Sequence, residues 1–282
     1  MELLSQRRKL DLRGRVAVVA IINVTPDSYV SGSRHMDPAA VVERARVCLA
    51  EGADILEIGG ESTGPGSIDI SLEEERRRVL PAVEAVRRAF PECWIAVDTY
   101  KSSVAAAALE NGADMINDVT AGRGEADMFS IVAEAQCPLV LMFAKDPSPR
   151  TTVASVEYPD VVATVHAFLA ERIAAARAAE ISASQIIIDP GLGHFLSSDP
   201  RPSFEVIARL REFEDLGPIL LSPSRKSFLA SEKKLPPEER LPATLAITGI
   251  AVQNGAKFIR THDVLPTRRA VDAASATVVL TR

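Results

Sequence analysis

Seven of eight short apolar runs in this 282-residue chain end in, or lead to, a side chain that can do polar chemistry. Asn23 follows "VAVVAII" (16–22), and Glu57 lies within "ILEIG" (55–59), ahead of Glu61, Ser62 and Thr63. Asp98 closes "WIAVD" (94–98), and Asn117 with Asp118 falls in "MINDV" (115–119). Asp189 ends an isoleucine run before the rigid "PGLG"; "PILLS" (218–222) leads to Ser224, Arg225 and Lys226; "KFIRT" (257–261) holds Arg260, with His262 just beyond. An aspartate after a strand often caps the next helix, a reading that competes at Asp118 and Asp263. Carboxylates and an amide converging in an apolar mouth suit a flat, nitrogen-rich heterocycle, whose amino and ring N–H groups donate to carboxylate oxygens. Arg260 and His262, on either side of Thr261, share a direction from a strand end and suit an anion such as phosphate.

The elements that must position these groups follow from the spacing. The eight runs, with "PLVLMF" (138–143) as the eighth, are apolar on both faces and separated by helical stretches, the pattern of a parallel sheet crossed over by helices. Eight such units in one chain of this length predict a single-domain (β/α)8 TIM barrel, in which chemistry gathers at the C-terminal rim. A doubly wound sheet competes, but no strand is followed by GxGxxG. Asp37 and Pro38 open a helix that Gly52 closes, and Ser71 with Glu74 reads as a capping box. The run "EEERRR" (73–78) reads as a solvated helix face, and residues 144–160 and 231–242 as long βα loops.

Composition excludes several classes. With 47% apolar and 25% charged residues and a net charge of −6, the chain carries no basic tract for nucleic acid. Cys48, Cys93 and Cys137 have no CxxC or metal-ligand spacing, which predicts buried thiols in a reducing compartment, the cytoplasm. No apolar run approaches the roughly 18 residues of a membrane span, and the charged N-terminus does not read as a signal peptide.

Taken in order, "INVTPDSY", "EIGGEST", "VDTYK", "GADMINDV", "IIIDPGLG", "SRKSFL" and "IRTHDV" resemble the dihydropteroate synthase family, most nearly its divergent, sulfonamide-insensitive type spread on mobile elements. The resemblance implies a transferase that joins 7,8-dihydropterin-6-ylmethyl diphosphate to 4-aminobenzoate, releasing pyrophosphate with Mg²⁺ assistance. It implies that Asp98, Asn117, Asp189 and Lys226 hold the pterin, with Lys226, Asp98 and Asp189 as the catalytic set. Asn23, Arg260 and His262 would hold the diphosphate, Asn23 also lying near the metal, while Thr63, Ser224 and Lys226 would approach the aminobenzoate. A homodimer through the late helices is expected on the same ground. Residues 25–33 would form a cover that closes over both substrates.

Departures from the family pattern modify these expectations. Gly64 replaces an arginine of the second loop, and Glu57 stands where aspartate is usual. "MFAKDP" after the fifth run leaves Met142 to stack on the pterin face. "GLGHFL" places His194 and Phe195 where a basic residue would cap the aminobenzoate pocket, so Phe195 is expected to narrow it against bulkier sulfonamides. Rival readings are a non-catalytic pterin-binding paralogue, a pterin-dependent methyltransferase and a Schiff-base aldolase using Lys226.

Overall fold

In the computed structural model, which describes residues 1–25, 37–230 and 232–279, ten strands form two sheets and eight α-helices accompany them. β1 (Glu2–Leu4) and β2 (Lys9–Asp11) form an antiparallel hairpin. The other eight strands are β3 (Ala17–Asn23), β4 (Ile55–Gly59), β5 (Trp94–Asp98), β6 (Met115–Asp118), β7 (Leu139–Met142), β8 (Ile186–Asp189), β9 (Leu220–Leu221) and β10 (Phe258–Thr261). All pair in parallel, in the order β8-β7-β6-β5-β4-β3-β10-β9, and a parallel bridge between Ile188 and Ile219 closes the ring. The expected (β/α)8 barrel is therefore present, with α1 (Pro38–Ala50), α2 (Leu72–Ala89), α3 (Ser102–Glu110), α4 (Met128–Ala135), α5 (Val161–Ala178), α6 (Arg201–Ala208), α7 (Leu241–Gln253) and α8 (Val264–Val279) outside it.

Strand periodicity explains how one sequence fills a barrel and furnishes its mouth. Successive side chains point to opposite faces, so every second residue looks inward. Ala17 and Val19, Ile55, Trp94 and Ala96, Met115, Val140, Ile187, Leu220 and Phe258 form the buried interior cluster. Continuing each strand by two residues on the same face reaches Glu57, Asp98, Asn117, Met142, Asp189, Ser222 and Arg260. The alternate face packs on the helices as a second, larger core. The hairpin at the N-terminus, which its short strands hid from periodicity, inserts Leu3, Leu10 and Leu12 against the bottom of the interior cluster.

Helix starts follow the caps expected of them, with one difference. Asp37 accepts the Ala39 N–H (3.0 Å) with Pro38 behind it, and Ser71 accepts the Glu74 N–H (3.2 Å). The capping box is only half formed, because Glu74 turns its carboxylate to Arg77 and to Arg78 (2.6 Å); two guanidiniums outcompete one backbone N–H. The "EEERRR" run is likewise not all solvated: Glu75 is fully buried and accepts from Lys101 (2.7 Å), while Arg78 donates to the Gly60 carbonyl (3.0 Å). Cys48 and Cys137 are buried, Cys93 is half-buried, and all three are unpaired, as expected. Burial pushes the Cys93 thiol to about 11 and Cys137 to about 12, so neither is nucleophilic near neutrality. Among the described residues no helix is long and apolar enough to cross a membrane.

Candidate active site

At the C-terminal rim the inward faces of the strands end in a cavity of about 770 Å³. Its lining includes Asn23, Thr63, Asp98, Asn117, Met142, Asp189, Phe195, Lys226, Arg260 and His262, so ten of the residues singled out from the sequence meet there. Ser224 lies instead in an adjoining recess of about 490 Å³, where His262 and Lys226 also sit. Ser222 and Arg78 line the main cavity and were missed. Ser222 carries the inward parity of Leu220 and could have been found by counting in twos; Arg78 looked like one more solvated charge. The expected cover over residues 25–33 falls, beyond Thr25, outside the described residues.

Arg260 crosses the barrel floor to two carboxylates. Its Nη2 donates to Asp98 (2.6 Å), and its guanidinium also pairs with Glu57 (Nε–O 2.5 Å). Glu57 is 1% exposed, and its second oxygen accepts the Asn117 amide N–H at 3.1 Å. The extra methylene of Glu57 is thus absorbed by reach: one carboxylate serves Arg260 and Asn117 together. Asn117, with its amide N–H spent on Glu57, keeps a buried Oδ1 that has no partner among the described residues and so remains an open acceptor.

Asp189 is oriented by the loop that follows it. Gly191 adopts φ +72°, and a Cβ there would meet the Phe143 carbonyl oxygen at 2.5 Å, so only glycine allows the Gly191 N–H to reach Asp189 Oδ1 (2.8 Å). Lys226 follows Arg225, a non-glycine residue at φ +56°. That strained backbone is held by the Arg225 fork on Asp263 (2.5 and 2.8 Å) and by its N–H to Thr244 Oγ1 (3.1 Å). The Lys226 ammonium lies 5.1 Å from the centre of the Phe195 ring. Phe195 packs with Val119 and Met142, giving the polar cavity one apolar wall, and Ala144 backs that wall from behind the lining.

Burial dominates the protonation of these groups. It lifts Asp98 to about 7 although Arg260 pulls the other way, and raises Asp189 against the pull of Lys226. It lowers Lys226 to about 8, Asp189 opposing. It also brings His262 down to about 4, with the Arg260 charge adding to it, so His262 is a neutral imidazole and not the cation its company in the sequence suggested. Ser224 Oγ accepts the His262 backbone N–H (3.2 Å), leaving its own proton for His262 Nδ1 (3.0 Å); the ring proton then belongs on Nε2. Asp118, buried, accepts from Thr120 and Gly122 (2.7–2.8 Å) and shapes a turn. Asp263 serves Arg225.

Fold and cavity together define the class: a (β/α)8 barrel with a polar cavity at the C-terminal ends of its strands. Residues 19–262 match the family described as pterin binding enzyme. Dihydropteroate synthase of Escherichia coli (strain K12) is 37% identical over 279 residues, covering 99% of this chain and 97% of the relative. That of Mycobacterium leprae (strain TN) is 37% identical over 265 residues, 92% and 91% of the two chains. Among solved structures, Xanthomonas albilineans dihydropteroate synthase with 4-aminobenzoic acid superposes with a TM-score of 0.89 at 38% identity, covering 98% and 97%. The same enzyme in complex with 7,8-dihydropteroate gives 0.86 at 36%, covering 98% of each chain. The chain therefore belongs to the pterin binding enzyme family, on its dihydropteroate synthase branch, and is a transferase.

Proposed function

We propose that the chain condenses 7,8-dihydropterin-6-ylmethyl diphosphate with 4-aminobenzoate to give 7,8-dihydropteroate and pyrophosphate. The observation that carries this reading is the meeting of Asp98, Asn117, Asp189, Lys226 and Arg260 in one cavity. Asp98, Asp189 and the unpartnered Asn117 Oδ1 present acceptors to the amino and ring N–H groups of a pterin, and Lys226 presents a donor. Met142 and Phe195 offer the apolar wall for its face. Arg260 and the His262 Nε2–H donate to the diphosphate. As the C–O bond breaks, the electron pair leaves with pyrophosphate, and the electron-rich dihydropterin stabilises the positive charge on its exocyclic methylene. The aniline nitrogen then forms the new C–N bond and releases a proton. The protein has only to orient the ring, draw off the leaving group and exclude water, so no covalent nucleophile is needed.

Mg²⁺ belongs to the same reading. Among the described residues no group of three His, Cys, Asp or Glu could hold a metal ion, so the chain offers the Asn23 amide oxygen and the diphosphate brings most of the ligands. That donor set fits Mg²⁺, which would supply charge neutralisation to the diphosphate when bound. A homodimer through the late helices is supported by Phe204, Ile250 and Leu265, which remain 38–46% exposed on α6, α7 and α8; light scattering reads the mass. The unpaired thiols support a cytoplasmic location.

Purified protein given both substrates and Mg²⁺ is expected to release pyrophosphate and form dihydropteroate in equal amounts. Tight pterin binding without product would favour a non-catalytic paralogue.

Reduced sulfonamide sensitivity, as in the insensitive type, is part of the proposal. Phe195 lines the cavity beside Lys226, where a planar carboxylate passes more easily than a tetrahedral sulfonyl group with its substituent. Phe195→Gly is expected to lower sulfonamide inhibition constants by about 10-fold or more, the range for steric discrimination of ~1–3 kcal/mol. Unchanged constants in that variant, with 4-aminobenzoate KM also unchanged, would rule out the steric explanation.

A further inference from the structure

Residues 143–160, between β7 and α5, take no part in the cavity lining, yet they are bonded to two loops that do. Toward the β8–α6 loop, the Lys145 N–H donates to the Phe195 carbonyl (2.9 Å) and Thr151 Oγ1 to the His194 carbonyl (2.7 Å). The Ser198 N–H reaches the Ala154 carbonyl (3.1 Å), and the Tyr158 hydroxyl the Leu196 carbonyl (2.7 Å). Toward the β4–α2 loop, the Thr151 N–H donates to the Thr63 carbonyl (3.1 Å) and Arg150 to the Ile68 carbonyl (3.3 Å). The Arg150 guanidinium also pairs with Glu61 and Asp69. Glu61 is a buried carboxylate that also accepts from Lys101 (2.5 Å) and from the Tyr100 hydroxyl (3.3 Å).

Arg150 and Thr151 therefore bind both loops from two consecutive residues. One loop carries Thr63 and the other Phe195, and both of these line the cavity. The β4–α2 loop has no tie of its own to the other loop, because "STGPG" contains two glycines and no side chain long enough to reach across the rim. We propose that Arg150 and Thr151 are positioning residues that set the separation of Thr63 from Phe195, and with it the width of the aminobenzoate pocket. This rests on the reaction proposed above. Neither residue touches substrate; they act through the loops they join.

The test compares Arg150→Gln, Thr151→Val and Thr151→Ser with the wild-type chain. The first two are expected to raise the KM for 4-aminobenzoate about tenfold, with kcat and the KM for the pterin diphosphate held within about twofold, the signature of lost binding to one substrate only. Thr151→Ser restores the hydroxyl and is expected to behave as wild type. Both KM values rising together, or neither moving, would overturn the clasp. Should Arg150→Gln fail to fold, Thr151→Val carries the decision, since it removes one hydroxyl whose bond to another loop is the one to His194, its other neighbours, Lys145 and Asp146, lying on its own segment. Titration of 4-aminobenzoate in the presence of pyrophosphate and a pterin reads the same pocket without turnover. A wild-type chain that binds both ligands but makes no product would refute the proposed reaction, while the variants' binding constants still decide on the clasp.

Discussion

Arg260→Met is expected to abolish turnover, lowering kcat/KM by about 1000-fold or more, and to destabilise the fold by about 3–5 kcal/mol, the range for removing one partner of a buried ion pair. Arg260 neutralises two carboxylates at once, Glu57 and Asp98, and methionine fills its volume without its charge. The loss should depend on pH. Asp98 has a folded-state pKa of about 7, above its ordinary value, so its protonated form favours the fold and that contribution fades as pH rises through 7. Without Arg260, which lowers it, Asp98 is pushed higher still. At pH 6 Asp98 is largely protonated with or without the arginine; above 7 the wild type gains an Asp98–Arg260 ion pair that the variant cannot form, so the deficit grows. Chemical denaturation at pH 6 and pH 8.5 reads the difference. A deficit that shrinks with rising pH would show that the arginine does not neutralise these carboxylates. The double substitution Arg260→Met with Glu57→Met should recover part of the stability, and none of the activity.

Lys226→Gln is the second large effect, an expected fall of about 100- to 1000-fold in kcat/KM for the pterin diphosphate, in line with truncating one partner of a buried charge pair. The ammonium is held between Asp189, which raises its pKa, and an apolar wall that lowers it to about 8. It must be protonated to donate, and Asp98 must be ionised to accept, so kcat/KM in the wild type should rise with pH through about 7 and fall above about 8. These are properties of the coupled cluster as a whole. Glutamine keeps a donor but cannot titrate, so the variant should lose the alkaline fall and keep the acid rise. Persistence of the alkaline fall in Lys226→Gln would assign it to another group. A Schiff-base role for Lys226 is tested by the same variant, since borohydride trapping with a carbonyl substrate requires the amine.

The local pattern of the sequence determined a great deal. Runs apolar on both faces, spaced by helices, specify a parallel barrel, and the side chains two residues beyond the interior positions had to meet at its mouth. Asp98, Asn117, Asp189 and Arg260 could be placed in one site because strand parity is a property of consecutive residues. Tertiary structure decided what each group does once there. Charge and protonation depend on neighbours distant in sequence: His262 became neutral through burial, and Glu57 met Arg260 across 203 positions. Glu75 left the solvated run because Lys101, on another strand's loop, supplied a buried partner. Ser224 turned from the cavity to His262, and the long segment after β7 became a link between two loops of the rim, because hydrogen-bond partners are chosen by closure of the barrel. Periodicity fixes the direction in which a side chain leaves the backbone; only the folded ring fixes what waits at its end.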